Sequence, residues 1–177
     1  FTSDCRLAAW GHFMAQAQLG TLSQTTLLSA TTGKLDVCLL PLWQKKLLLP
    51  ASALLDVIPA STMKATKKGK KEGVIGHVKW EDQQVPVVVF ESLNGDAYPS
   101  DPQKLAIIFG IGLNEKLPQY AIALQAEPVT VKVKIAELED LEKAAVGEME
   151  YLQVRYKDSL VIIPDLDAVE AKILTLL

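Results

Sequence analysis

Cysteine, histidine and paired acidic residues are the side chains of this sequence that could support catalysis or metal binding. The cysteines are Cys5 and Cys38, and the histidines are His12 and His77. Their spacing matches no metal-binding motif. Cys38 lies inside an apolar, strand-like run, where a buried free thiol is expected. The sequence therefore predicts no metal site and no cofactor.

Two further patterns could mark an active site. The acid pairs Glu81–Asp82 and Glu139–Asp140 could act as general acids or bases, but both lie in polar segments where turns are expected. Gly110-Ile-Gly112 follows an apolar run, yet the third glycine and the helix of a phosphate-binding loop are missing. No Gly-x-Ser-x-Gly motif is present. We therefore expect a protein that is not an enzyme, with a hydrolase of unmarked site as a remaining alternative.

A lysine-rich segment, residues 64–71, carries five lysines. Such a segment could contact nucleic acid, but no aromatic residue is interleaved for base stacking. The net charge of the chain is -3, which gives no general affinity for nucleic acid. A solvated loop is the favoured interpretation, and a β-barrel nucleic-acid-binding protein that uses this loop is the alternative.

Short apolar runs must form the elements that position these residues. Prolines, glycines and polar loops separate the runs, as is typical of β-strands. A chain of 177 residues is long enough for one domain or two small barrels. No run approaches the ~18 residues of a membrane-spanning helix, and we expect a cytoplasmic protein. The predicted strands are 37–42, 46–50, 73–80, 84–90, 105–109, 120–124, 129–133, 151–156 and 160–163.

The segments between and beyond these runs set the organisation. The loop 91–102 divides two sets of strands and suggests two similar half-units. Residues 51–58 favour another strand, and 136–146 a short helix or loop with a wet acidic face. A C-terminal helix should be capped by Asp165 or Asp167. Residues 1–34 are interpreted as an N-terminal extension or a vector-derived segment.

Residues 35–177 resemble the CheW-like domain, the adaptor module of bacterial chemotaxis-type signalling. The opening 35–58, which ends in Leu54-Leu-Asp-Val-Ile58, is similar to the strand–turn–strand start of that family. The segment 74–90 carries a glycine, Gly76, followed by Val85-Pro-Val-Val88. Further similarity lies in 120–124 and in the final strands and helix.

This resemblance implies an all-β fold of two small SH3-like five-stranded β-barrels packed around a shared core, with a C-terminal helix. It also implies a non-enzymatic adaptor that couples chemoreceptors to a CheA-type histidine kinase in chemotaxis or surface-motility signalling. The partners would be that kinase and the cytoplasmic tip of a chemoreceptor, with no membrane insertion.

The resemblance also implies two binding surfaces. The kinase-binding residues would be Leu54, Asp56 and Val57, with Gly76 shaping the nearby strand, and the receptor-binding residues would be Trp80, Glu81 and Asp82. Asp56 is the residue most expected at an interface, because an acid in an apolar segment faces solvent or a partner. Glu81 stands where the family has an arginine, and such a charge reversal changes which partner is tolerated.

Overall fold

Strands make up most of the regular structure in a computed structural model of the chain, which describes residues 34–66, 72–110, 117–141 and 146–177. Each apolar run predicted to be a strand forms one. In these described ranges two helices, α1 (Phe90–Leu93) and α2 (Leu166–Leu176), accompany the strands. The strands are β1 (Lys34–Pro41), β2 (Lys46–Pro50), β3 (Leu54–Pro59), β4 (Lys64–Ala65), β5 (Val74–Trp80), β6 (Gln83–Val88), β7 (Lys104–Phe109), β8 (Gln119–Leu124), β9 (Val129–Lys134), β10 (Glu139–Asp140), β11 (Glu150–Tyr156) and β12 (Ser159–Pro164).

The strands form two sheets with matching organisation. One has the order β10-β11-β12-β2-β1-β9 and is called barrel 1 here; the other, barrel 2, has the order β3-β7-β8-β6-β5-β4. The two end strands of each sheet are neighbours in the chain, joined by the 3-10 turns Ile135–Glu137 and Ala60–Thr62. Because such short connections hold the ends together, each sheet curls into a barrel.

The predicted fold class is confirmed, with one correction to the boundary between its halves. Each barrel has five strands of at least five residues, and a two-residue strand, β4 or β10, lies at one end. The loop 91–102 does not divide the barrels, because β3 to β8 on both sides of it belong to barrel 2. The first hairpin, β1–β2, instead joins β9 to β12, with β2 parallel to β12. The order of apolar runs along the sequence cannot show that the first hairpin pairs with strands from the end of the chain.

Three apolar clusters explain why the strands have continuous apolar runs. Leu105 and Ile107 of β7 point into barrel 2, while Ala106 and Ile108 pack into a core shared by both barrels. Likewise, Val37 of β1 lies inside barrel 1 and Cys38 lies in the shared core. Strands buried on both faces lose the usual apolar–polar alternation.

The C-terminal helix α2 closes the shared core, as predicted. The Asp165 side chain accepts a hydrogen bond from the Ala168 backbone N–H at 3.2 Å, which caps the helix. Leu166, Val169 and Ile173 are buried against the shared core. No helix in the described ranges is long and apolar enough to cross a membrane.

Several connecting segments differ in detail from the expectation. The strand predicted at 84–90 ends at Val88, and the chain turns into α1, which includes the first residues of the predicted loop. Residues 135–140 form a 3-10 turn and β10 rather than a helix, because β10 pairs with β11. Residues 142–145 lie outside the described ranges, as do Gly112, the segment 67–71 and residues 1–33.

The two barrels contain equivalent hairpins, β5–β6 and β11–β12. Each turns at two residues with positive φ: 45° and 62° at Glu81 and Asp82, and again 45° and 62° at Lys157 and Asp158. Two consecutive residues in this region are typical of the type I′ hairpin turn, where aspartate is tolerated. Asp82 and Asp158 therefore occupy equivalent positions in the two barrels.

Gly76 allows β4 to lie directly against β5. A methyl group at this position would overlap the Lys64 carbonyl oxygen and would lie 3.1 Å from the Ala65 Cα atom. We expect Gly76→Ala to lower the free energy of unfolding by about 1–2 kcal/mol, because β4 is a short end strand that can move away. Urea denaturation measures this change. An unaltered midpoint would show that the close contact between β4 and β5 does not require glycine at this position.

Candidate functional site

Asp56 and Trp80 meet at the surface where barrel 2 closes. Asp56 lies on β3 and is exposed, and Trp80 ends β5. The Trp80 indole N–H donates a hydrogen bond to Asp56 Oδ2 at 2.9 Å, and the Val57 backbone N–H donates to Asp56 Oδ1 at 2.8 Å. The residues expected on two separate surfaces therefore adjoin each other.

The turn after Trp80 adds two acidic side chains. Glu81 and Asp82 are both exposed, as expected for this hairpin turn. Lys79 Nζ lies 3.7 Å from Asp82 Oδ1, and these side chains are 76% and 97% exposed. Because solvent screens such a pair, it contributes little to stability. The acidic character of this edge is therefore available to a partner.

Apolar side chains lie beside these acids. Leu54 and Val57 are half-buried, whereas Leu55 is 40% exposed. Leu55 lies at a β-bulge between Leu54 and Asp56, and this irregularity turns it outwards. We call residues 54–57 together with 80–82 the β3 surface. It combines an apolar strip with a rim of three carboxylates.

Phe109 is an exposed residue near this surface that the sequence reasoning missed. It ends β7, one residue beyond the pairing of Leu54 with Ile108, and is 51% exposed. Its position at the end of an apolar run resembled that of a core residue, so no local signal separated the two. Gly76 is itself buried and acts on the surface only by placing β4.

The reactive residue types of the described ranges do not assemble into a catalytic centre. Burial raises the pKa of the Cys38 thiol to about 11, so the thiol is protonated at neutral pH and a poor nucleophile. Glu139 forms an exposed ion pair with Arg155, with 3.4 Å between Oε2 and a guanidinium nitrogen. Among the described residues, no group of three or more His, Cys, Asp and Glu could hold a metal ion.

Comparison with known proteins adds a match in structure. No protein-family model and no curated protein matches the sequence. The crystal structure of scaffolding protein TtCheW from Thermoanaerobacter tengcongensis aligns with a TM-score of 0.59 at 12% identity. The alignment covers 74% of this chain and 84% of that chain. The chain has the CheW fold.

The CheW fold accounts for the two barrels and their shared core, but it does not assign the β3 surface. At 12% identity the likeness concerns the backbone, so each residue of that surface must be argued from its own environment. Most of the lysine-rich segment 64–71 lies outside the described residues. Its first two residues, Lys64 and Ala65, form the exposed strand β4.

Proposed function

We propose that this protein is a non-enzymatic, cytoplasmic CheW-type adaptor that couples chemoreceptors to a CheA-type histidine kinase in chemotaxis or surface-motility signalling. The observation that carries the proposal is the similarity in fold to a scaffolding protein of this type. The sequence resemblance over residues 35–177 points the same way. In the described residues no grouping of reactive side chains favours an enzyme instead.

The β3 surface is the proposed docking region for the kinase or the receptor. Exposed Leu55 beside half-buried Leu54 and Val57 supplies apolar area that a partner would remove from water. The carboxylates of Asp56, Glu81 and Asp82 surround this strip. Protein interfaces commonly have such an apolar centre with a polar rim.

The charge of the rim indicates what the partner must present. Where the CheW-like family has an arginine, this chain has Glu81, followed by Asp82. The complementary face of the partner should therefore carry lysine or arginine, since facing like charges cost binding energy. Because Asp56 adjoins Trp80, we propose one continuous surface in place of two distant ones.

A binding experiment with purified components tests the proposal. We expect the chain to bind the regulatory domain of a CheA-type kinase from its own organism, the cytoplasmic tip of a chemoreceptor, or both, with a Kd of roughly 1 μM, or about -8 kcal/mol. Size-exclusion chromatography and calorimetry measure the complexes. Absence of binding to both partners would refute the adaptor function. Binding to single-stranded oligonucleotides that weakens steeply with salt would favour the nucleic-acid alternative.

A further inference from the structure

A cavity of about 460 Å³ lies where the β1–β2 turn of barrel 1 faces α1 and the segment that follows it. This volume is in the range of sites that bind small molecules. The lining of the cavity shares no residue with the β3 surface. Its lining includes Trp43, Lys45, Phe90, Glu91, Asp96 and Tyr98.

Glu91 is the polar group that gives the cavity its character. Its Oε1 accepts a hydrogen bond from the Trp43 backbone N–H at 3.5 Å, which is long. Its Oε2 is buried and accepts no hydrogen bond from the described residues. Burial raises the pKa of Glu91, and the nearby negative charge of Asp96 raises it further. Oε2 of the carboxylate therefore lacks the donor that a shielded anion needs.

Aromatic side chains form the apolar part of the cavity. The Trp43 indole N–H donates a hydrogen bond to Ser100 Oγ, which fixes the ring against the loop after α1. Phe90 lines the cavity from α1 and is otherwise buried in the shared core. Aromatic faces attract organic cations, and they also contact the apolar body of such a ligand.

Lys45 is the cationic residue in the lining, but it does not neutralise Glu91. It is half-buried and forms no ion pair with a described residue. Of the influences on the pKa of Glu91, the charge of Lys45 is the smallest. The terminal torsion of a glutamate is soft, so a modest rotation turns either oxygen of Glu91 towards a ligand.

We propose that this cavity binds a small organic cation, with an ammonium or guanidinium group at Glu91 and Asp96 and an apolar body against Trp43. The cation would supply the hydrogen-bond donor that Oε2 of Glu91 lacks, and a charge-assisted bond to a carboxylate is strong when shielded from water. This site is independent of the adaptor proposal, since it shares no residue with the β3 surface.

Titration with phenethylammonium chloride, followed by amide chemical shifts, tests the site. We expect saturable binding with a Kd at or below about 1 mM, and at least tenfold weaker binding of 2-phenylethanol, which has the same ring without the charge. Shifts should be centred on the β1–β2 turn and α1. No saturable binding, or equal affinity for the alcohol, would overturn the proposal.

Glu91→Gln provides the matched variant. It should weaken phenethylammonium binding at least tenfold, whereas Glu148→Gln, which removes an exposed carboxylate outside the lining, should not. Because the folded-state pKa of Glu91 lies above its ordinary value of 4.5, ionisation destabilises the fold at neutral pH. The glutamine variant should therefore fold at least as stably at pH 7. Unchanged affinity in this folded variant would also overturn the proposal.

Discussion

Asn94→Ala is expected to lower the free energy of unfolding by about 3 kcal/mol, a large share of the stability of a typical domain. Asn94 follows α1 and belongs to the connection between β6 and β7 of barrel 2. Its side chain nevertheless bonds to the start of β11 in barrel 1. The Asn94 Nδ2 group donates to Glu150 Oε2 at 2.5 Å, and the Met149 backbone N–H donates to Asn94 Oδ1 at 2.9 Å.

The expected cost is high because the groups left behind are shielded. Glu150 is 6% exposed, and its other oxygen accepts a hydrogen bond from the Gln153 side-chain amide at 2.6 Å. Without Asn94, a buried carboxylate oxygen and the backbone N–H of Met149 both lose their partner. Water reaches such groups poorly, so the desolvation already incurred is no longer compensated.

Chemical denaturation of Asn94→Ala measures this loss, and Gln125→Ala is the matched control. Gln125 also carries a side-chain amide and lies in the connection from β8 of barrel 2 to β9 of barrel 1, but its side-chain hydrogen bond, to the Asp101 carbonyl oxygen, is exposed and 3.5 Å long. The control should change stability by about 0.5 kcal/mol or less. Equal effects of the two substitutions would show that the contact between the barrels is not stabilising.

The strands themselves could be predicted from the sequence because they are short and bounded by turn residues. β2 spans the predicted Lys46–Pro50, and the hairpin at Glu81–Asp82 turns where the acid pair stands. The cap of α2 at Asp165 was predictable for the same reason, since a capping residue and its N–H donor are three residues apart. Local physics determines these features.

The assignment of strands to barrels could not be predicted in the same way. The run Leu105–Ile108 is apolar at every position, so its pattern cannot show which side chains face barrel 2 and which face the shared core. The contact of Asn94 with Glu150 joins residues 56 positions apart, and that of Asp56 with Trp80 joins residues 24 apart. Such pairings depend on the barrels closing and packing, which no short window of sequence contains.

The candidate site was predictable in composition but not in arrangement. The acid Asp56 in an apolar segment was expected to be exposed, and it is. Its hydrogen bond to Trp80 unites residues that the family resemblance divided between two partners. The same bond makes Asp56 a poor test residue, because a substitution there also releases the indole and the Val57 N–H.

Asp82→Lys is therefore the sharper test of the β3 surface, and we expect it to weaken the complex with the kinase or receptor roughly 30-fold, or by about 2 kcal/mol. The substitution places a positive charge where the rim should face lysine or arginine of the partner. Among the described residues Asp82 forms an exposed ion pair with Lys79, so losing that pair removes little folding energy.

Asp158→Lys is the matched control for this substitution. Asp158 has the same φ of 62° at the same position of the equivalent hairpin, so the conformational cost of a lysine there is the same. Asp158 belongs to barrel 1 and lies outside the β3 surface, and its reversal should leave the Kd within about twofold of the parent value. Calorimetric titration of the two folded variants with the kinase or receptor, at the same ionic strength, shows whether the loss of affinity depends on which hairpin carries the lysine. If both substitutions weakened binding equally, the change in net charge alone would explain the effect. The Glu81–Asp82 turn would then not be part of the interface.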